Sequence, residues 1–101
     1  MAFARAAKAA EIAPGTIREI ALGGKTIALA NVGGKYHAID SVCAHQGGPL
    51  GEGSLDGCTV ICPWHAWEYD VSTGKLVGNP EVSVASYPAE LRGEDVFVDL
   101  G

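Results

Sequence analysis

The chain has only three cysteines, and it has no apolar run of the length a membrane helix requires. A transmembrane helix needs about 20 consecutive apolar residues, so no membrane span is expected. Disulfide frameworks of small secreted domains use even numbers of cysteine, so an odd count points to a reducing cytoplasm. The stretch MAFARAAKAAEIAPG at the start carries Arg5 and Lys8 but no apolar core of the secretory type. Repeats, linkers and low-complexity tracts are missing. So is any nucleophile paired with a base, or any substrate-pocket signature, which argues against catalysis. Basic side chains are scarce: seven Lys and Arg stand against 12 Asp and Glu, for a net charge of −5. The shortage is uneven. Residues 1–40 hold five basic and three acidic side chains, whereas residues 41–101 hold two basic and nine acidic, a net of −7. An acidic surface repels the phosphate backbone, which excludes nucleic acid as a partner. It suits a basic docking patch, and it also keeps a small protein soluble.

What is present reads as one small domain of short strands over residues 1–101, expected to act as a monomer. TIREIAL (16–22), KTIALANV (25–32) and the stretch to Asp40 predict strands, with Gly33-Gly34 as a two-residue hairpin turn. CTVIC (58–62), AWEYD (66–70), VSVASY (82–87) and DVFVDL (95–100) predict more. In the last of these, Val96, Val98 and Leu100 share one face. The Ala-rich start is read as an edge strand over 3–8, followed by a single turn over 11–15, because Pro14 disfavours helix before it. These elements predict an all-β fold, an antiparallel sandwich or partly open barrel. Residues 43–80 break the pattern with seven Gly and three Pro. That density predicts a loop-built site of about residues 41–80 set into the β scaffold.

Chemistry concentrates there. SVCAHQGGPL places Cys43 and His45 one residue apart, and VICPWHAWEYD places Cys62 and His65 two apart, with sixteen residues between the pairs. Two thiolates and two imidazoles suit zinc by default. The order is not that of a zinc finger, however, since each Gly/Pro-rich loop donates one Cys and one His. Such symmetry suits a two-metal centre in which one metal takes both sulfurs and the other both nitrogens.

Cys43-x-His45 and Cys62-x-x-His65, within CAHQGGPLGEG and CPWHAWEYDVSTGK, resemble the two cluster-binding loops of Rieske-type ferredoxins. These are the electron carriers of bacterial aromatic-ring dioxygenase systems. The resemblance implies one [2Fe–2S] cluster, with Cys43 and Cys62 on one iron and His45 and His65 on the other. Two ferric ions, two sulfides and two thiolates carry no net charge together. An added electron therefore meets less repulsion than in an all-Cys centre, which places the class at roughly −150 to +300 mV. The resemblance further implies a soluble, non-catalytic one-electron carrier. It would take electrons from a flavin-dependent NAD(P)H reductase and pass them to a terminal oxygenase. A small subunit of a nitrite-reductase-type complex and a zinc-stabilised binding module are the alternatives.

High-potential members of the family add a disulfide between the loops. The matching positions here are Gly48 and Trp64, which cannot form one. Those members also place a Ser, whose hydroxyl bonds a sulfide, where this chain has Trp67; their Tyr, which bonds a Cys sulfur, is kept as Tyr69. Fewer donors to sulfur imply a low potential within the class. GNPEV (78–82), with Pro80, resembles the family's covering loop. Trp64 and Trp67 either shield the cluster, form an apolar docking rim, or simply pack the loops onto the scaffold. Cys58 is expected to be a buried apolar filler, His37 an ordinary strand histidine, and Glu68 and Asp70 solvated acids or part of an acidic docking face.

Overall fold

The computed structural model describes residues 3–42, 49–64 and 67–100. Among these residues are twelve strands and no α-helix. The first half of the chain contributes β1 (Phe3–Lys8), β2 (Thr16–Leu22), β3 (Lys25–Val32), β4 (Lys35–Asp40), β5 (Ser54–Asp56) and β6 (Thr59–Ile61). The second contributes β7 (Glu68–Asp70), β8 (Lys75–Leu76), β9 (Asn79–Ser83), β10 (Ser86–Tyr87), β11 (Ala89–Arg92) and β12 (Asp95–Asp99). They assemble into three antiparallel sheets, ordered β1-β12-β11, β10-β4-β3-β2 and β5-β6-β7-β8-β9, rather than a closed barrel.

The sheet built on β2, β3 and β4 lies in the middle, with one core on each face. Alternation along β3 decides which side chain enters which core. Ile27 and Leu29 join Ala7, Ile12, Ala38, Val96 and Val98 on the face toward β1 and β12. Ala28 and Ala30 join Ile17, Ile39, Leu50, Val60, Cys62, Tyr69 and Val71 on the other. Covering both faces explains why IALA reads as an unbroken apolar run. The small alanines let the five-stranded sheet approach closely, while each large aliphatic side chain contributes about 1.5–3 kcal/mol by burial. Gly33 and Gly34 supply the β3–β4 turn at φ +60° and +96°, which side-chain-bearing residues rarely adopt.

The start of the chain follows expectation, with β1 on a sheet edge along β12. The turn after it begins earlier than Glu11, as a 3-10 turn over Ala9–Glu11, with the Lys8 N–H donating to the Glu11 carboxylate at 2.9 Å. VSVASY is not one strand. β9 ends at Ser83 in the five-stranded sheet, and β10 begins at Ser86 beside β4. The chain leaves the middle sheet after β4 and returns next to it with β10. Ser86 pairs Ile39, and the Asp40 N–H donates to the Ala85 carbonyl at 2.9 Å.

Candidate metal centre

Of the two Cys/His pairs, Cys62 is described; Cys43, His45 and His65, together with Gly48, lie outside the described residues. The centre is therefore defined by the bases of its two loops. The first loop leaves β4 through Ser41 and Val42 and returns at Pro49. Val42 and Pro49 form an antiparallel bridge, and the Leu50 N–H donates to the Ser41 carbonyl at 2.5 Å. A 3-10 turn over Leu50–Glu52 then carries the chain into β5. The second loop joins β6 to β7 and is closed by the Cys62 N–H donating to the Trp67 carbonyl at 2.7 Å.

Register puts these bases side by side. Ser54 pairs Ile61, and Ile61 pairs Glu68, so the exit of the first loop and both arms of the second share one end of the sheet. Gly53 makes the contact possible. A Cβ at that position would stand 2.1 Å from the Ile61 carbonyl oxygen, which belongs to backbone and cannot swing away. Gly51 does the same on the other side, where a Cβ would lie 2.5 Å from Glu19 Cα of β2. Both glycines are visible in PLGEG, but their sequence setting shows only a turn.

Cys62 is buried, packed with Leu50, Val60 and a fully buried Tyr69. Among the described residues no buried side-chain nitrogen or oxygen lacks a hydrogen-bond partner. A dry thiol at the mouth of one loop, with a second Cys/His loop based alongside it, fits a soft metal centre better than a solvated hard cation. The donor set as a whole, one sulfur and one imidazole per loop, fits a [2Fe–2S] group.

The two tryptophans differ in burial. Trp67 is half-buried against the core around Tyr69, whereas Trp64 is 49% exposed. Val42 and Val77 are also exposed, at 56% and 54%. Val77 sits opposite Glu68, to whose carbonyl its N–H donates at 2.9 Å. Three of the four large exposed apolar residues among those described therefore ring the loop end; the other, Leu91, lies on β11. GNPEV forms the turn into β9 and most of that strand, with Pro80 within it, so the segment is a hairpin arm rather than a free loop.

The acidic excess is spread more widely than its sequence position suggests. Glu90, Glu94, Asp95 and Asp99 lie in or beside β11 and β12, where Asp95 pairs with Arg5 and Glu90 with Arg92. Asp56 and Asp70 mark the far end of the five-stranded sheet, Glu81 is exposed on β9, and Glu52 and Glu68 are exposed near the loops. Asp70 is not a freely solvated acid. The Ser72 hydroxyl donates to it at 2.6 Å, the Ser72 N–H at 2.8 Å and the Cys58 thiol at 3.5 Å. These bonds, the Ser72 hydroxyl foremost, hold its carboxyl below the ordinary value despite partial burial. Cys58 is accordingly half-buried and hydrogen-bonded rather than a buried filler. His37 lies in β4, as expected, close enough to favour the Asp70 carboxylate electrostatically.

A family model described as the Rieske [2Fe-2S] domain matches residues 2–88. The ferredoxin component of a naphthalene 1,2-dioxygenase system from Pseudomonas aeruginosa is 33% identical over 91 residues, covering 89% of this chain and 88% of that one. A 3-phenylpropionate/cinnamic acid dioxygenase ferredoxin subunit from Shigella boydii serotype 4 (strain Sb227) is 42% identical over 76 residues, covering 73% and 72%. A chain in the complex of reduced oxygenase and oxidized ferredoxin of carbazole 1,9a-dioxygenase superposes with a TM-score of 0.84 at 31% identity, over 95% of this chain and 91% of that one.

Proposed function

This chain belongs to the Rieske [2Fe–2S] domain family, and on that premise we propose that it carries single electrons from a flavin-dependent NAD(P)H reductase to a terminal oxygenase. The observation that carries the reading is the meeting of the first loop's exit with both arms of the second at one end of the five-stranded sheet, tied through Gly53 against Ile61. Cys43 and Cys62 would hold one iron and His45 and His65 the other. When bound, the cluster supplies a site that takes up and releases one electron. The protein supplies the rest. The packing around Cys62, Leu50 and Tyr69 excludes water from the sulfur side. Trp64, Val42 and Val77 offer an apolar rim around the loops, with Glu52 and Glu68 as the nearby exposed acids. Such a rim suits brief docking, since electron-transfer interfaces are small.

The naphthalene and phenylpropionate relatives are ferredoxins of dioxygenase systems, and the carbazole ferredoxin is found with its oxygenase. These parallels support a terminal oxygenase as the acceptor here. Among the described residues no helix is long and apolar enough to cross a membrane. We place the carrier in the cytoplasm as a monomeric domain, in keeping with its odd cysteine count. The test is stopped-flow transfer from the reduced protein to an oxygenase of such a system. Trp64→Ala should slow transfer about tenfold or more, as truncating an anchoring aromatic costs at least about 1–2 kcal/mol, while leaving the visible spectrum and potential unchanged. Equal rates for the variant and its parent would move docking away from this rim.

A further inference from the structure

We infer that Glu19 and Ser41 form a clamp that positions the first ligand loop, residues 43–48, and through it the retention and electronic signature of the cluster; the inference rests on the cluster reading above. Ser41 is fully buried at the end of β4, two residues before Cys43. Every polar group it has is used. Its N–H donates to the Thr26 carbonyl at 3.0 Å, and its carbonyl accepts the Leu50 N–H at 2.5 Å. Its hydroxyl donates to the Glu19 carboxylate at 2.6 Å and accepts the Gly51 N–H at 3.1 Å. One side chain thus holds the residue that enters the loop and the segment that leaves it.

Glu19 adds what the main chain cannot. It comes from β2, an edge strand of the middle sheet, so it references the loop to the scaffold independently of the five-stranded sheet. A carboxylate acceptor makes the hydroxyl bond charge-assisted, shorter and roughly twice as strong as a neutral one. It also fixes the hydroxyl rotor, so that a lone pair faces the Gly51 N–H. Gly51 completes the arrangement because no Cβ fits between it and Glu19 Cα. Each loop base is closed by a backbone bond, Ser41–Leu50 in the first and Cys62–Trp67 in the second, and the Glu19 carboxylate adds to the first a tie to a distant strand. Glu19 and Ser41 are therefore positioning residues. They act through the backbone that leads to Cys43 and His45.

The test uses the iron-loaded protein and two readouts, the electron paramagnetic resonance of the reduced cluster and the rate of iron release to a chelator below the unfolding temperature. Glu19→Ala and Ser41→Ala should broaden or shift the resonance and release iron about tenfold faster, as expected for loss of one hydrogen bond to a charged group. Glu19→Gln, which keeps an oxygen acceptor, should restore both toward wild type. Glu19 is exposed, so its two variants carry the test should Ser41→Ala fail to fold. A wild-type resonance and release rate in Glu19→Ala, or a lower melting temperature with the resonance unchanged, would overturn the clamp. A wild-type chain that assembles no red-brown chromophore overturns the cluster reading itself, and the clamp with it.

Discussion

Replacing Gly53 with Ala isolates the contact on which the two-loop arrangement depends. Gly53 has φ −79° and ψ −168°, an extended conformation open to any residue, so the backbone itself resists nothing. The obstacle is the Ile61 carbonyl oxygen, 2.1 Å from the added Cβ, with the Leu50 carbonyl oxygen at 3.2 Å. Ordinary carbon–oxygen contacts begin near about 3.3 Å, so β5 and β6 must part by roughly an ångström. Forcing a methyl into such a site costs about 1–3 kcal/mol, and the strained Ser54–Ile61 ladder gives up about 0.5–1.5 kcal/mol more. The sum is on the order of 2–4 kcal/mol. At this chain length each kcal/mol lowers Tm by about 5 °C, so the variant should melt about 10–20 °C below its parent. Ile61 carries the peptide into Cys62, so the same shift should reduce iron loading. Gly57→Ala is the control. It sits at φ +60° in the β5–β6 turn with nothing within 4 Å of the added Cβ. Its cost is the left-handed backbone alone, about 1–2 kcal/mol or about 5–10 °C, with full iron content. Calorimetry and iron assay on both variants decide the matter. A Gly53→Ala protein that melts with wild type and loads iron fully would refute the reasoning.

Other outcomes follow from the site and the scaffold. Cys43→Ala, His45→Ala, Cys62→Ala and His65→Ala should each abolish the visible spectrum, while Cys58→Ala should keep it; a colourless Cys58 variant beside a coloured Cys43 variant would reverse the ligand assignment. Tyr69→Phe should lower the reduction potential and Trp67→Ser should raise it, each by about 59 mV for a bond of about 1.4 kcal/mol; protein-film voltammetry checks the sign. The Tyr87 hydroxyl donates to Asp40 at 2.6 Å, and partial burial, then that carboxylate, push its pKa up to about 12. Because the folded value exceeds the unfolded one, this stabilisation is complete below about pH 10 and fades toward pH 12; Tyr87→Phe should flatten that part of the stability profile, measured by denaturant titration.

The scaffold was largely legible in the sequence because its strands are long enough to show a period. β2 and β3 fall at the expected residues, and Val96 and Val98 enter the core as their alternation requires. The segment 43–80 was read as loops around two strands, yet it holds most of a five-stranded sheet. β5 and β8 span three and two residues, too short for alternation to register, and Gly53, Gly57, Gly74 and Gly78 obscure them further. VSVASY alternates without a break, but alternation cannot reveal that Val84 and Ala85 cross from one sheet to another. The two Cys/His pairs stood out by residue type and spacing. The Glu19–Ser41 bond did not, since it joins two ordinary residues 22 apart whose meeting depends on β2–β3–β4 pairing. The acidity of residues 41–101 was real, but tertiary structure carries four of its nine acids to the opposite sheet.

The return of the chain beside its point of departure has a consequence for how such a protein changes over time. Residues 41–85 begin and end on neighbouring strands, where Asp40 and Ala85 share a hydrogen bond. The host sheet supplies only two adjacent strand ends, and the entropy of closing the excursion grows slowly with its length. The redox unit can thus be lengthened, trimmed or exchanged as a cassette while β3, β4 and β10 keep their pairing. A graft of residues 41–85 from one such carrier into another would need to preserve a single junction and the small alanines beneath it. Specificity for a partner can then be rewritten in the cassette without renegotiating the fold that holds it.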